Sequence, residues 1–127
     1  MSAGDRRNAI ENLLYRYAQL ADDLDAAGVA DLLAAATVQI GDKAPVAGAE
    51  LVELFRGMFA GTPAGRHLLS NMVITESPHG AQSSCRYVRW VLGNPPTVVS
   101  IGVYQATFRA DAGVWAFDSL RVIREWG

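Results

Sequence analysis

A single cysteine, Cys85, among 127 residues excludes an intrachain disulfide and gives no reason to expect an oxidising compartment. Histidine is nearly as scarce: His67 and His79 are the only two, and with one cysteine they make no metal-site spacing. No Gly-x-Gly-x-x-Gly or P-loop pattern occurs, so no nucleotide cofactor is implied. There is no Gly-x-Ser-x-Gly elbow either. Lysine is almost missing, with Lys43 beside ten scattered arginines and a net charge of −2. Without a basic stripe, a nucleic-acid surface is not expected. No apolar run approaches the roughly 20 residues that cross a bilayer, and Met1 to Asn8 lacks the apolar stretch of a signal peptide. The absences together predict a cytoplasmic protein with no cofactor, no metal, no nucleic-acid partner and no membrane partner.

What is present is a globular composition, 50% hydrophobic and 19% charged. The length suits one domain over 1–127 with a core that needs no staples. Residues 5–25 predict an amphipathic helix, with Ile10, Leu13, Leu14, Tyr17, Leu20, Ala21 and Leu24 on one stripe. A short helix over 26–35, a strand at 37–40, a loop from 41 to 48 and a third helix over 49–60 follow. Gly61-Thr62-Pro63 ends that helix. From residue 66 the period changes to two, and strands are expected at 66–76, 81–92, 97–110 and 114–125. Ser77-Pro78-His79-Gly80, Gly93-Asn94-Pro95-Pro96 and Asp111-Ala112-Gly113 separate them as hairpin turns. Helices first and a meander of long strands afterwards predict an α+β domain, its helices packed on one face of a curved, mostly antiparallel sheet. Such a cone offers its concave interior as the ligand site.

Alternation along the strand from Arg66 sends His67, Leu69, Asn71 and Val73 to one face. His67 and Asn71 would then line one cavity, about 13 Å apart at ~3.3 Å per residue. Tyr17, in mid-stripe, is either a core tyrosine or a hydrogen-bond donor to a ligand oxygen. Tyr104 shares a face with Ser100, Gly102, Ala106 and Phe108, and the small neighbours leave space beside it. Tyr87 points away from Arg86 and Trp90. His79, in a turn, is expected to be exposed.

The segments Ala9 to Asp22 and Arg66 to Asn71, with Gly113-Val114-Trp115-Ala116-Phe117, resemble the SnoaL-like branch of the NTF2-like superfamily. An apolar helix ending in Asp-x-x-Asp and then a His-x-x-x-Asn strand are similar to scytalone dehydratase and hexachlorocyclohexane dehydrochlorinase. In those enzymes an Asp–His pair supports a proton-abstracting elimination. Carried over, the aspartate falls on Asp22, the histidine on His67 and the second acidic position on Asp25. The resemblance implies an NTF2-like cone and a cofactor-independent lyase, dehydratase, isomerase or cyclase acting on a small hydrophobic molecule. Tyr17, Asn71, Tyr104 and Asp25 would surround the substrate. Two departures narrow this. Ile40 stands where ketosteroid isomerase carries its base, and no second histidine matches that of scytalone dehydratase. A non-catalytic ligand-binding module, or an interaction module dimerising through its sheet with Val99, Ile101 and Val103, is the alternative. On an ideal helix Asp22 lies about 140° from the stripe centre, with Asp25 nearer its edge, so the dyad needs the helix to bend or end near Asp22.

Overall fold

The computed structural model describes residues 2–127. Helix α1 (Ala3–Asp22) starts in a capping box. The Ser2 hydroxyl accepts from the Asp5 N–H at 3.1 Å, and the Asp5 carboxylate accepts from the Ser2 N–H at 3.2 Å. The helix stops at Asp22, three residues before the expected end, in a Schellman motif. The Asp25 N–H donates to the Leu20 carbonyl and the Leu24 N–H to that of Ala21, both at 3.0 Å. Leu24 takes the left-handed backbone position, φ 55°, where glycine is usual. Asp25 sets the boundary: its carboxylate accepts the Gly28 N–H at 2.9 Å and caps α2 (Ala26–Leu32).

Strand β1 (Thr37–Ile40) follows, and a two-residue strand β2 (Val46–Ala47) pairs back on it inside the expected loop. A 3-10 turn at 48–50 leads into α3 (Leu51–Phe59), which seats Leu51 and Phe55 fully in the core. The long strands are β3 (Gly65–Ser77), β4 (Gly80–Val91), β5 (Thr97–Asp111) and β6 (Val114–Trp126), an antiparallel meander. The β5–β6 turn is carried by Ala112 and Gly113, with φ of 50° and 80°. Beside β6, β1 runs parallel, so the six-stranded sheet is mixed, in the order β2-β1-β6-β5-β4-β3. The sheet is curved and does not close, and three helices cover one face. None of the helices described is long and apolar enough to cross a membrane.

Bulges supply curvature and also change which residues face inward. In β3, Ser70 pairs with Arg86 and Val73 with Ser84, so one residue is extra. Asn71, at φ 53°, sits at this irregularity. Met72 and Ile74 are partly buried beyond it, whereas Asn71 and Val73 are exposed. The expected sharing of a face by His67 and Asn71 therefore fails, because strict alternation ends at the bulge. A second bulge lies in β5, where Arg89 pairs with Ser100 and Trp90 with Val98, leaving Val99 extra.

Candidate active site

Helix α1 runs along β3 in the opposite direction. Arg6 pairs with Glu76 at 2.5 Å, Arg7 donates to the Met72 carbonyl at 3.3 Å, and Asp22 meets His67 at the far end. Ala18, one turn before Asp22, is buried and small enough to let the helix approach. That second covered flank of α1 is why Asp22 faces the sheet although it lies off the apolar stripe.

One carboxylate oxygen does two things. Asp22 Oδ1 lies 2.7 Å from the His67 backbone nitrogen and 2.7 Å from His67 Nδ1. The first bond exists because β3 is a sheet edge, where alternate N–H groups have no strand partner. The second orients the ring: a carboxylate accepts only from a protonated Nδ1, so Nε2 carries the lone pair. Both side chains are nearly buried, at 13% exposure for His67 and 10% for Asp22. Burial lowers the His67 pKa below 6.5, the Asp22 hydrogen bond and charge pull it back up, and the nearby Arg89 guanidinium lowers it further. The net direction is down, which keeps the imidazole neutral.

His67 lines a cavity of about 250 Å³ between the sheet and the helices. Its sheet side is built in cross-strand rows. His67, Arg89 and Ser100 form one row, and Tyr87, Gly102 and Arg124 the next. Cys85, Tyr104 and Val122 form a third row, of which Tyr104 and Val122 reach the cavity. Tyr17, Ala21, Leu24, Met58, Phe59 and Thr62 close it from the helical side. The floor is aromatic. Tyr87 stacks on Tyr104 at 4.6 Å between centroids, Tyr17 meets Tyr104 edge-on at 5.3 Å, and His67 lies 6.0 Å from Tyr87. Gly102 makes this possible, since a Cβ there would strike the Tyr87 ring and hydroxyl. Burial raises the pKa of all three tyrosine hydroxyls, so they stay protonated donors. Cys85 beneath them is likewise buried and pushed up to about 11, a thiol rather than a nucleophilic thiolate.

Four of the six residues expected at the site thus come together: Asp22, His67, Tyr17 and Tyr104. Two do not. Asp25 caps α2, and Asn71 lies exposed at the β3 bulge, so neither lines the cavity. Tyr87, Arg89, Ser100 and Arg124 line it without having been expected there. Alternation from Tyr104 already put Ser100 on its face, and alternation within β4 puts Arg89 with Tyr87. No local signal placed Arg124 there. His79 is exposed in the β3–β4 turn. Across the sheet, a wider groove of about 720 Å³ is lined by Thr37, Gln39, Gln82, Ser84, Gln105 and Arg121 among others, and holds no histidine or carboxylate that could act as a base. Among the described residues, no cluster of three or more His, Cys, Asp or Glu side chains could hold a metal ion.

The sequence profile of the SnoaL-like domain matches residues 4–121. No match is found among curated proteins. Solved structures share the fold at low identity. A protein of unknown function from Mycobacterium tuberculosis superposes with a TM-score of 0.80 at 20% identity, over 98% of this chain and 77% of its own. A candidate dehydratase of the NTF2-like family from Streptomyces avermitilis gives 0.80 at 11% identity, over 97% and 98%. A candidate scytalone dehydratase from Novosphingobium aromaticivorans gives 0.69 at 19%, over 93% and 83%.

Proposed function

The chain belongs to the SnoaL-like domain family, and from that premise we propose that it is a cofactor-independent proton-transfer enzyme acting on a small organic molecule, with His67 as the base. The observation that carries this reading is the 2.7 Å hydrogen bond from His67 Nδ1 to Asp22 Oδ1 at the wall of a cavity. With Nδ1 engaged, Nε2 takes the proton of an acidic C–H or O–H. Asp22 stabilises the imidazolium that forms, in surroundings where solvent screening is weak. The imidazolium then returns the proton. Delivery to another carbon gives isomerisation, delivery to a departing hydroxyl gives elimination of water, and attack of the carbanion on a carbonyl gives ring closure. Elimination is the first reaction to test, because two structural neighbours carry dehydratase names. Tyr17 and Tyr104 supply protonated hydroxyls for ligand oxygens. A volume of about 250 Å³ lies at the small end of ligand sites, which suits a single ring better than a polycyclic skeleton.

The test is an NMR titration of His67 in wild type and in Asp22→Asn, alongside turnover of His67→Gln. The substitution at Asp22 should lower the His67 pKa further, since desolvation and Arg89 remain while the charge that opposes them is gone. Coincident titration curves would remove the base assignment, as would an undiminished kcat in His67→Gln with a working substrate.

A second feature favours self-association. On the sheet face away from the helices, Leu68, Val88, Ile101 and Trp126 are consecutive cross-strand neighbours. Leu68 and Trp126 are 59% and 56% exposed. A contiguous apolar row of this kind suits a homodimer. Val99, expected in that row, belongs to the cavity instead, because it is the bulge residue of β5. A cytoplasmic setting fits a chain whose one cysteine is a buried free thiol.

A further inference from the structure

The charges around the cavity are one-sided. Arg89 and Arg124 line it, and no aspartate or glutamate does. Elsewhere Arg6, Arg7, Arg56, Arg109 and Arg121 each lie against a carboxylate. Among the described residues Arg16, Arg66, Arg86, Arg89 and Arg124 have no such partner, and of these only Arg89 and Arg124 line the cavity. Arg89 spends one N–H on the Pro63 carbonyl at 2.7 Å, which anchors the guanidinium and leaves donors unspent. Asp22 acts through its charge on His67 and Tyr104, but its carboxylate lies outside the lining and its ion-pair contact is with His67 rather than with either arginine. Glu125 is an acid on the same strand as Arg124. It follows Arg124 at the β6 bulge and raises the Tyr87 pKa, whereas Arg124 lowers it.

Position agrees with charge. Arg89 faces Ser100 across β4 and β5, and Arg124 pairs with Gly102 two residues further along β5. Ser100 thus stands on the strand between the two arginines, and both Ser100 and Arg124 hydrogen-bond the Tyr87 hydroxyl. Tyr17 and Tyr104 are buried below, while Arg89 is half-buried and Arg124 exposed. The cavity therefore has a cationic rim over an aromatic floor.

We propose that this rim is an anion site: Arg89 and Arg124 take the carboxylate of a one-ring organic acid whose ring lies against Tyr87, within reach of His67. Guanidinium donors match carboxylate oxygens in pairs, and an apolar, partly enclosed site strengthens each charged hydrogen bond. The inference rests on the cavity being the ligand site and names the class of ligand that it selects. It also gives Arg89 a second effect. Its charge opposes protonation of His67, and a bound carboxylate offsets that opposition, so an acid ligand readies His67 to accept a proton.

Benzoate and its neutral isostere benzamide test the proposal by NMR titration of the wild-type protein, Arg89→Gln and Arg124→Gln, with circular dichroism confirming that each variant is folded. Benzoate should bind the wild type about tenfold or more tightly than benzamide, from one charge-assisted pair of hydrogen bonds. Each variant should lose most of that ratio while its benzamide affinity stays within about threefold. The His67 pKa should rise in the benzoate complex and not in the benzamide complex. Equal affinities for the two probes, no binding of either, or a ratio unchanged in both variants would overturn the anion site. The two readings fail separately. Loss of Asp22–His67 coupling removes the base assignment without touching the benzoate ratio, and a ratio of one removes the anion site without touching the coupling.

Discussion

His67 sits between opposing influences, and their balance sets what the residue can do. Burial and Arg89 disfavour the imidazolium, Asp22 favours it, and the pKa ends below 6.5. A pH dependence of stability follows. Below pH 6.5 the unfolded chain binds a proton at this histidine before the folded chain does. Over that interval the unfolded state holds more protons, so stability falls as pH drops from 6.5 towards the folded pKa, and above 6.5 the contribution vanishes. Urea denaturation of wild type and His67→Gln at several pH values should show the wild type losing more stability on acidification. Parallel curves would mean that the folded pKa is not depressed. Asp22 has the larger structural role, because one oxygen serves a backbone N–H and a ring N–H. Asp22→Ala strands both donors in a nearly dry place and should cost about 2–4 kcal/mol in urea denaturation, whereas a loss below about 0.5 kcal/mol would show that water replaces the carboxylate.

Some elements owe their ends to side chains outside the cavity. Asp25 illustrates this: it resembles a second site acid in its spacing, yet its carboxylate caps α2. Asp25→Ala should lower stability by about 1 kcal/mol and leave benzoate affinity unchanged. A change in that affinity would return Asp25 to the site. The β5–β6 turn carries a removable cost, since Ala112 holds φ 50° before Gly113 at 80°. Two positive φ values in a two-residue hairpin turn favour Asn-Gly. Ala112→Asn should therefore raise the urea midpoint by the equivalent of roughly 0.5–1 kcal/mol, and no gain would mean that the turn is unstrained. Within the strands, the bulges at Asn71 and Val99 decide which side chains face the ligand. Neither carries a glycine or proline that would have marked it, and the period of two reads straight through both.

At the scale of the whole molecule, one face of the sheet is closed by helices around the cavity and the other carries the row from Leu68 to Trp126. Burying that row against a second copy would shield side chains that water now meets, without obstructing the cavity on the opposite face. Sedimentation velocity should find a dimer in the wild type, and Ile101→Glu, at the centre of the row, should shift it to monomer while the His67 titration stays unchanged. A wild type that remains monomeric at high micromolar concentration would rule out the dimer.

The chain itself determined the order and nature of nearly every element, because hydrophobic period and turn residues are local properties. The change of period from 3.6 to 2 near residue 66 and three hairpin turns are enough to specify an α+β meander. Resemblance in two short segments added the pairing of Asp22 with His67. What only the tertiary structure decided is direction. Asp22 turns towards β3 because α1 is covered on two flanks and ends there. Asn71 turns away because the strand gains a residue, and Arg89 and Arg124 share a rim because two strands apart in sequence flank β5. Each of these depends on long-range packing or on a one-residue register shift, and neither leaves a trace in the spacing of a single chain.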